Sequence, residues 1–185
     1  MITRRIVFTG SGGQGVITAS IILAEAAAVY EGLNAVQTQA YGPEARGGAT
    51  RADVVLSRDP VRYPKVTHPD YLVCLTQEAY NKFSGIIRPG GTLLTDTNYV
   101  KLERRVDARQ VELGMYKAVL EEVGKPIVFN ICMLGALIGL TQMIKAEMLE
   151  KVLEKRIPPD FMEINRQALR LGIRLADSYE KGRPA

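Results

Sequence analysis

Four glycines fall within six residues at Gly10-Ser11-Gly12-Gly13-Gln14-Gly15, between a short β-branched and aromatic run and a long apolar segment. Ile6-Val7-Phe8 predicts a buried first strand that ends at Gly10. Val16 to Tyr30 carries Glu25 as its only charge, which predicts a helix buried on more than one side. Gly32 stands where a helix end favours glycine. Ala35 to Thr38 predicts a second strand. Strand, glycine turn, helix and strand make a βαβ unit with a right-handed crossover, its two strands expected to be parallel neighbours.

Further strands are expected at Ala52–Leu56, Tyr71–Leu75 and Thr92–Thr95, with a return to the sheet at Val111-Glu112-Leu113 after a polar surface excursion over 97–113. Helices are expected at Gln77–Ser84, at Met115–Val123 with Gly124 as its stop, at Ala146–Arg156, and from Asp160 to about Glu180. Asp160 with Glu163 three residues later has the form of a capping box. Ile127-Val128-Phe129 reads as the start of a strand inside the uncharged run Pro126–Ile144. That run is marginal for a membrane span, which needs ~20 mostly apolar residues. Its Gly135-x-x-x-Gly139 suits close helix packing, so a helix buried in the core or in a subunit interface is expected, with no membrane partner. The 185 residues suit one domain, 1–185, with neither repeat nor linker. The fold class expected is α/β, a Rossmann-like doubly wound, mostly parallel sheet with helices on both faces.

Composition narrows the chemistry. Cys74 and Cys132 match no metal or disulfide spacing and read as buried thiols of a reduced compartment. Two cysteines cannot supply four ligands to an iron–sulfur cluster. The single His68, between Thr67 and Pro69, leaves no zinc cluster and no Ser–His–Asp relay, and reads as a turn residue. Neither a catalytic residue nor a metal site is therefore expected on this chain. The net charge of +4 is spread, with most of the excess after residue 150, and there is no Trp. That pattern argues against a nucleic-acid partner. Met1-Ile2-Thr3-Arg4-Arg5 opens no signal peptide, so a cytoplasmic address is expected.

Gly10-x-Gly12-x-x-Gly15 matches the dinucleotide fingerprint in its required context. Bare glycine backbone admits a phosphate, and the helix N-terminus offers unpaired N–H groups and the positive end of the dipole. A ribose-binding carboxylate should stand at the end of the second strand. That stretch reads Gln37-Thr38-Gln39, while Glu31 comes too early and Glu44 too late, which argues against NAD. A ligand-free structural turn stays open. The second feature is Tyr41-Gly42-Pro43-Glu44-Ala45-Arg46-Gly47-Gly48. Gly-Pro forces a turn, and Arg46 beside two glycines can present a guanidinium and N–H groups to one anion. A plain connection with Arg46 paired to Glu44 is the alternative.

Those two segments, with Leu23-Ala24-Glu25-Ala26, Ser57 and Tyr63-Pro64, resemble the gamma subunit of 2-oxoacid:ferredoxin oxidoreductases, the wording being closest to the 2-oxoglutarate type. The resemblance spans roughly residues 4 to 180. It implies a complex that oxidatively decarboxylates a 2-oxoacid to an acyl-CoA and reduces ferredoxin, in anaerobic metabolism. Thiamine diphosphate, magnesium and 4Fe-4S clusters would belong to alpha, beta and delta-type partners. This chain would serve assembly and coenzyme A docking, with Gly10, Ser11, Gly12, Gly13, Gln14, Gly15, Tyr41, Glu44, Arg46, Gly47 and Gly48 as the binding set. A free-standing NAD(P)-dependent oxidoreductase and a non-enzymatic nucleotide-binding module are the rival readings. Both glycine segments should meet at the carboxyl edge of the sheet. Alone, the chain is expected to be inactive and to form a homodimer, because the uncharged helices would otherwise be exposed. The arginines at 166, 170 and 174 share one helix face, expected to be solvated.

Overall fold

Period-two alternation decides how the sheet is buried. Ile6, Phe8, Val54, Leu56, Val73 and Leu94 turn one way into the larger core, while Val7, Val55, Leu72, Cys74 and Leu93 turn the other way into a second one. A computed structural model describes residues 3–39 and 49–182. Its strands are β1 (Arg4–Gly10), β2 (Asn34–Gln39), β3 (Thr50–Ser57), β4 (Tyr71–Cys74), β5 (Gly91–Asp96) and β6 (Ala108–Leu113). Its helices are α1 (Val16–Tyr30), α2 (Gln77–Phe83), α3 (Met115–Ala118), α4 (Phe129–Thr141), α5 (Ala146–Arg156) and α6 (Pro159–Lys181). The sheet order is β2-β3-β1-β4-β5-β6. β1, β4, β5 and β6 pair in parallel, whereas β3 runs antiparallel to both β1 and β2.

β2 therefore points the same way as β1 but is not its neighbour, which corrects the expectation of adjacent strands. Only residues 40–49 join β2 to β3. A parallel return needs a crossover of a dozen or more residues, so β3 comes back antiparallel and inserts between them.

α1, α4, α5 and α6 close over the larger core, and glycines set how near they lie. A Cβ on Gly135 would overlap the Leu169 carbonyl oxygen, and one on Gly172 would overlap that of Cys132. A Cβ on Gly139 would stand 2.7 Å from that of Ala176. The glycine pair of α4 thus packs inside the chain, backbone to backbone against α6, and no described helix is long and apolar enough to cross a membrane. This removes the reason given for self-association: the apolar sides of α1 and α4 are buried against the sheet, α5 and α6.

Three further expectations change. Ile127-Val128-Phe129 is a single 3-10 turn, Pro126–Val128, running into α4. A short apolar run has no period by which to tell strand from buried helix. The capping box at Asp160 is absent: Pro158 occupies the cap position with Pro159 at the first helical site, where proline's missing N–H costs nothing. Glu163 faces Arg166 and Gln167 instead. The return to the sheet begins at Ala108 and not at Val111, and the surface connection before it is pinned by buried Val100 and by the Tyr80 hydroxyl, which donates to the Arg104 carbonyl and accepts its N–H.

The arginine face of α6 is compensated by carboxylates. Arg166 meets Glu150, Glu154 and Glu163, Arg170 meets Glu150, and Arg174 meets Glu122. Both cysteines are free and buried. Burial pushes the Cys74 thiol up to about 12, only partly offset by the Thr9 hydroxyl, and burial likewise raises Cys132 to about 12.

Candidate functional site

The parallel strands β1, β4 and β6 each feed a helix, so α1, α2 and α3 all begin at one edge of the sheet. Two of those beginnings are closed by side chains. Thr76 accepts the Ala79 N–H at 3.1 Å for α2. Asp96 accepts the Tyr116 N–H of α3 and the Asn98 N–H, both at 2.8 Å. Asp96 is fully buried, and that burial raises its pKa against the lowering effect of these bonds. α1 has no such cap. Its N-cap residue is Gly15, at φ 71, with no side-chain hydrogen bond to the first turn. The orphan N–H groups of that turn face outward with the positive end of the helix dipole.

Gly10 closes β1 and lies in register with Thr50 at the start of β3. A Cβ on Gly10 would stand 2.6 Å from Gln14 Oε1. That oxygen accepts the Ser11 N–H at 2.8 Å, and Gln14 Nε2 donates to the Leu75 carbonyl at 3.2 Å. Gln14 is thus an internal brace of the turn. Gly15 is held from the other side by Asn130 of α4: Asn130 Nδ2 lies 3.4 Å from the Gly15 carbonyl oxygen and 2.5 Å from where a Cβ would stand. Gly12 and Gly13 are the reverse case. Both are exposed, and among the described residues a Cβ on either would meet nothing within 4 Å. Gly13 needs glycine for its φ of 89, while Gly12 has no such need.

Ser11, Gly12, Gly13, Gly15, Val16 and Thr18 line a groove of ≈ 350 Å³ with Thr50. Thr18 and Thr50 were not singled out from the sequence: one reads as a helix surface position and the other as the residue after a glycine loop. The Asn130 contact crosses 115 positions of chain and leaves no local trace. Tyr41, Glu44, Arg46, Gly47 and Gly48 lie outside the described residues. The flanks of their segment are described: Gln39 ends β2, which points the same way as β1, and Thr50 pairs with Gly10. The segment therefore leaves and rejoins the sheet at the edge where the 10–15 turn emerges.

Two nearby acids among the described residues have partners within the chain, while Glu44 lies outside those residues. Glu25 pairs with Arg156, and Glu31 accepts the Lys145 N–H at 3.3 Å. Among the described residues no group of three or more His, Cys, Asp or Glu could hold a metal ion.

Residues 5–175 match the family described as pyruvate ferredoxin/flavodoxin oxidoreductase. The chain belongs to that family. It is 43% identical over 175 residues to the 2-oxoglutarate synthase subunit KorC of Methanocaldococcus jannaschii, covering 94% of each chain. The crystal structure of a keto/oxoacid ferredoxin oxidoreductase gamma subunit from Geobacter sulfurreducens is 39% identical and superposes with a TM-score of 0.85. That match covers 95% of this chain and 99% of the other. A 2-oxoglutarate:ferredoxin oxidoreductase from Magnetococcus marinus, with 2-oxoglutarate, coenzyme A and succinyl-CoA bound, shares the fold at 23% identity and a TM-score of 0.86. There the match covers 96% of this chain and 32% of that one. The likeness seen in the glycine segments is thus one of family and of α/β fold.

Proposed function

We propose that the chain is the gamma-type subunit of a cytoplasmic 2-oxoacid:ferredoxin oxidoreductase that converts 2-oxoglutarate to its acyl-CoA. Its part is to complete the assembly and receive the anionic end of coenzyme A. The name of the archaeal relative, together with its identity over nearly the whole chain, supports 2-oxoglutarate as the acid. Thiamine diphosphate, magnesium and the 4Fe-4S clusters fall to the partner subunits, since this chain's two cysteines are buried and apart from any ligand set. On this reading the chain forms a single domain without a catalytic residue.

The observation that carries the docking role is the uncapped start of α1 beneath two bare glycines, in a groove open to solvent. A phosphate there would take the orphan N–H groups as its donors, and the glycine backbone would let it come close. On this reading Arg46, which lies outside the described residues, would add a full charge and a charge-assisted hydrogen bond. Arg46→Ala in the assembled complex should raise the KM for coenzyme A by about tenfold or more, matching ~1.5–3 kcal/mol for such a bond. The KM for 2-oxoglutarate should stay put. Unchanged coenzyme A kinetics and unchanged assembly would contradict the docking role.

A further inference from the structure

Ser57 and Tyr63-Pro64 belong to the residues that carry the family likeness, yet nothing at the glycine edge uses them. They lie on the other face of the sheet, where the strap 58–67 crosses β2 and β3. The strap is held down from below. Asp53, only 6% exposed on β3, accepts the Val66 N–H at 2.9 Å through Oδ2 and pairs with Arg51 Nε at 2.7 Å through Oδ1. Arg51 in turn donates to the Val66 carbonyl. Asn34 Nδ2 donates to the Arg58 carbonyl at 3.0 Å, and Ser57 Oγ accepts the Asp59 N–H at 3.1 Å. The backbone is therefore fixed at both ends by polar contacts, buried at Val66 and more exposed at Arg58.

The tip is the opposite. Tyr63 is 64% exposed and stands between two grooves, of ≈ 740 and ≈ 370 Å³, which both count Tyr63, Lys65 and Thr67 among their walls. Among the described residues no carboxylate pairs with Arg58, Arg62 or Lys65, all exposed, nor with Arg5 on the rim of the smaller groove. Arg166, Arg170 and Arg174 of α6 differ in this respect, each being matched by a glutamate. An exposed ring on a rigid backbone, flanked by uncompensated cations, has the make-up of an interface anchor. Tyrosine and arginine dominate such anchors, and a preordered loop loses little freedom on binding.

We propose that the Arg62-Tyr63-Pro64-Lys65 tip docks into a carboxylate-bearing protein surface on another subunit of the same complex. The proposal rests on reading the chain as one subunit of a larger assembly. The occupant is argued from charge, and from the Magnetococcus marinus protein, where the same fold is about a third of a longer chain and so lies beside further polypeptide.

The test reconstitutes the complete complex and measures the affinity of this subunit for the others across salt concentrations. Tyr63→Ala should weaken it roughly tenfold. Arg62→Glu with Lys65→Glu should weaken it at least as much at low salt, with the loss shrinking as salt screens the contact. Lys181→Glu, a reversal at the far end of α6, should change nothing. The melting temperature of each isolated variant should match the parent, since these side chains support no described contact. Normal assembly by both strap variants would overturn the proposal. So would variants that assemble normally while the chain loses affinity for inorganic phosphate, which would make the strap a small-anion groove. A parent chain that fails to join the other subunits would overturn this proposal and the subunit reading together.

Discussion

The two faces of one sheet are closed by different physics. On the α1/α4/α6 face, helices approach until only glycine fits, and closure depends on shape. On the strap face, one short helix and two connections close over a smaller apolar core, and polar contacts pin the connections to it: Asp53 with Arg51 and Val66, and Tyr80 with Arg104. The comparison teaches where the molecule can tolerate change. Close packing punishes any added atom, whereas a polar clamp fails only when a partner is removed. The rigid face carries the helix whose open end forms the candidate site, and the clamped face carries the strap.

The sharpest break in that comparison is Gly172→Ala. Its methyl would overlap the Cys132 carbonyl, a backbone atom that cannot yield without moving α4. Overpacking of this kind should cost about 3 kcal/mol, beyond the ~1 kcal/mol that alanine gains in a helix interior. For a chain of this size the melting temperature should fall by roughly 6–12 °C. A fall of a degree or less would mean that α4 and α6 are not in backbone contact.

Asp53→Ala should come next. It leaves the Val66 N–H without its acceptor and the partly exposed Arg51 without its carboxylate, at about 2 kcal/mol. Amide exchange should rise at Val66 and along the strap while α4 and α6 keep their protection. Uniform loss of protection in both places would deny that the faces are held independently.

Arg170→Ala should do least. Its pair with Glu150 is 3.6 Å long and its side chain is mostly exposed, so the change should stay within about 0.5 kcal/mol. A larger loss in a denaturant melt would show that ion pairing, and not glycine packing, secures α6.

Much of this arrangement is written locally. The glycines after β1, the glycine stop at Gly32 (φ 65) and the apolar period of α5 fix their elements within a residue or so. Strand direction is not written that way, because Thr50–Ser57 alternates identically whichever way it runs. The ten-residue link before it was the one available signal for the antiparallel insertion. Ile127 to Phe129 is ambiguous for a related reason, a run of three apolar residues being too short to show a period. At the candidate site, the residues with backbone duties were visible as glycines. Asn130 and Thr50 were not, since their roles exist only across long separations, and the Asp53 clamp shows only once the strap brings Val66 back onto β3.

On the docking reading the bare backbone at Gly12 serves a ligand and not the fold, whereas Gly13 also meets the turn's need for a positive φ. Gly12→Ala tests that reading most directly. Among the described residues the added methyl meets nothing within 4 Å, and Gly12 does not need a positive φ, so the melting temperature should hold within a degree or two. Yet a phosphate seated on the α1 N-terminus would meet that methyl, and the KM for coenzyme A in the assembled complex should rise about tenfold, with the KM for 2-oxoglutarate unchanged. A stable Gly12→Ala complex with parental coenzyme A kinetics would contradict the account.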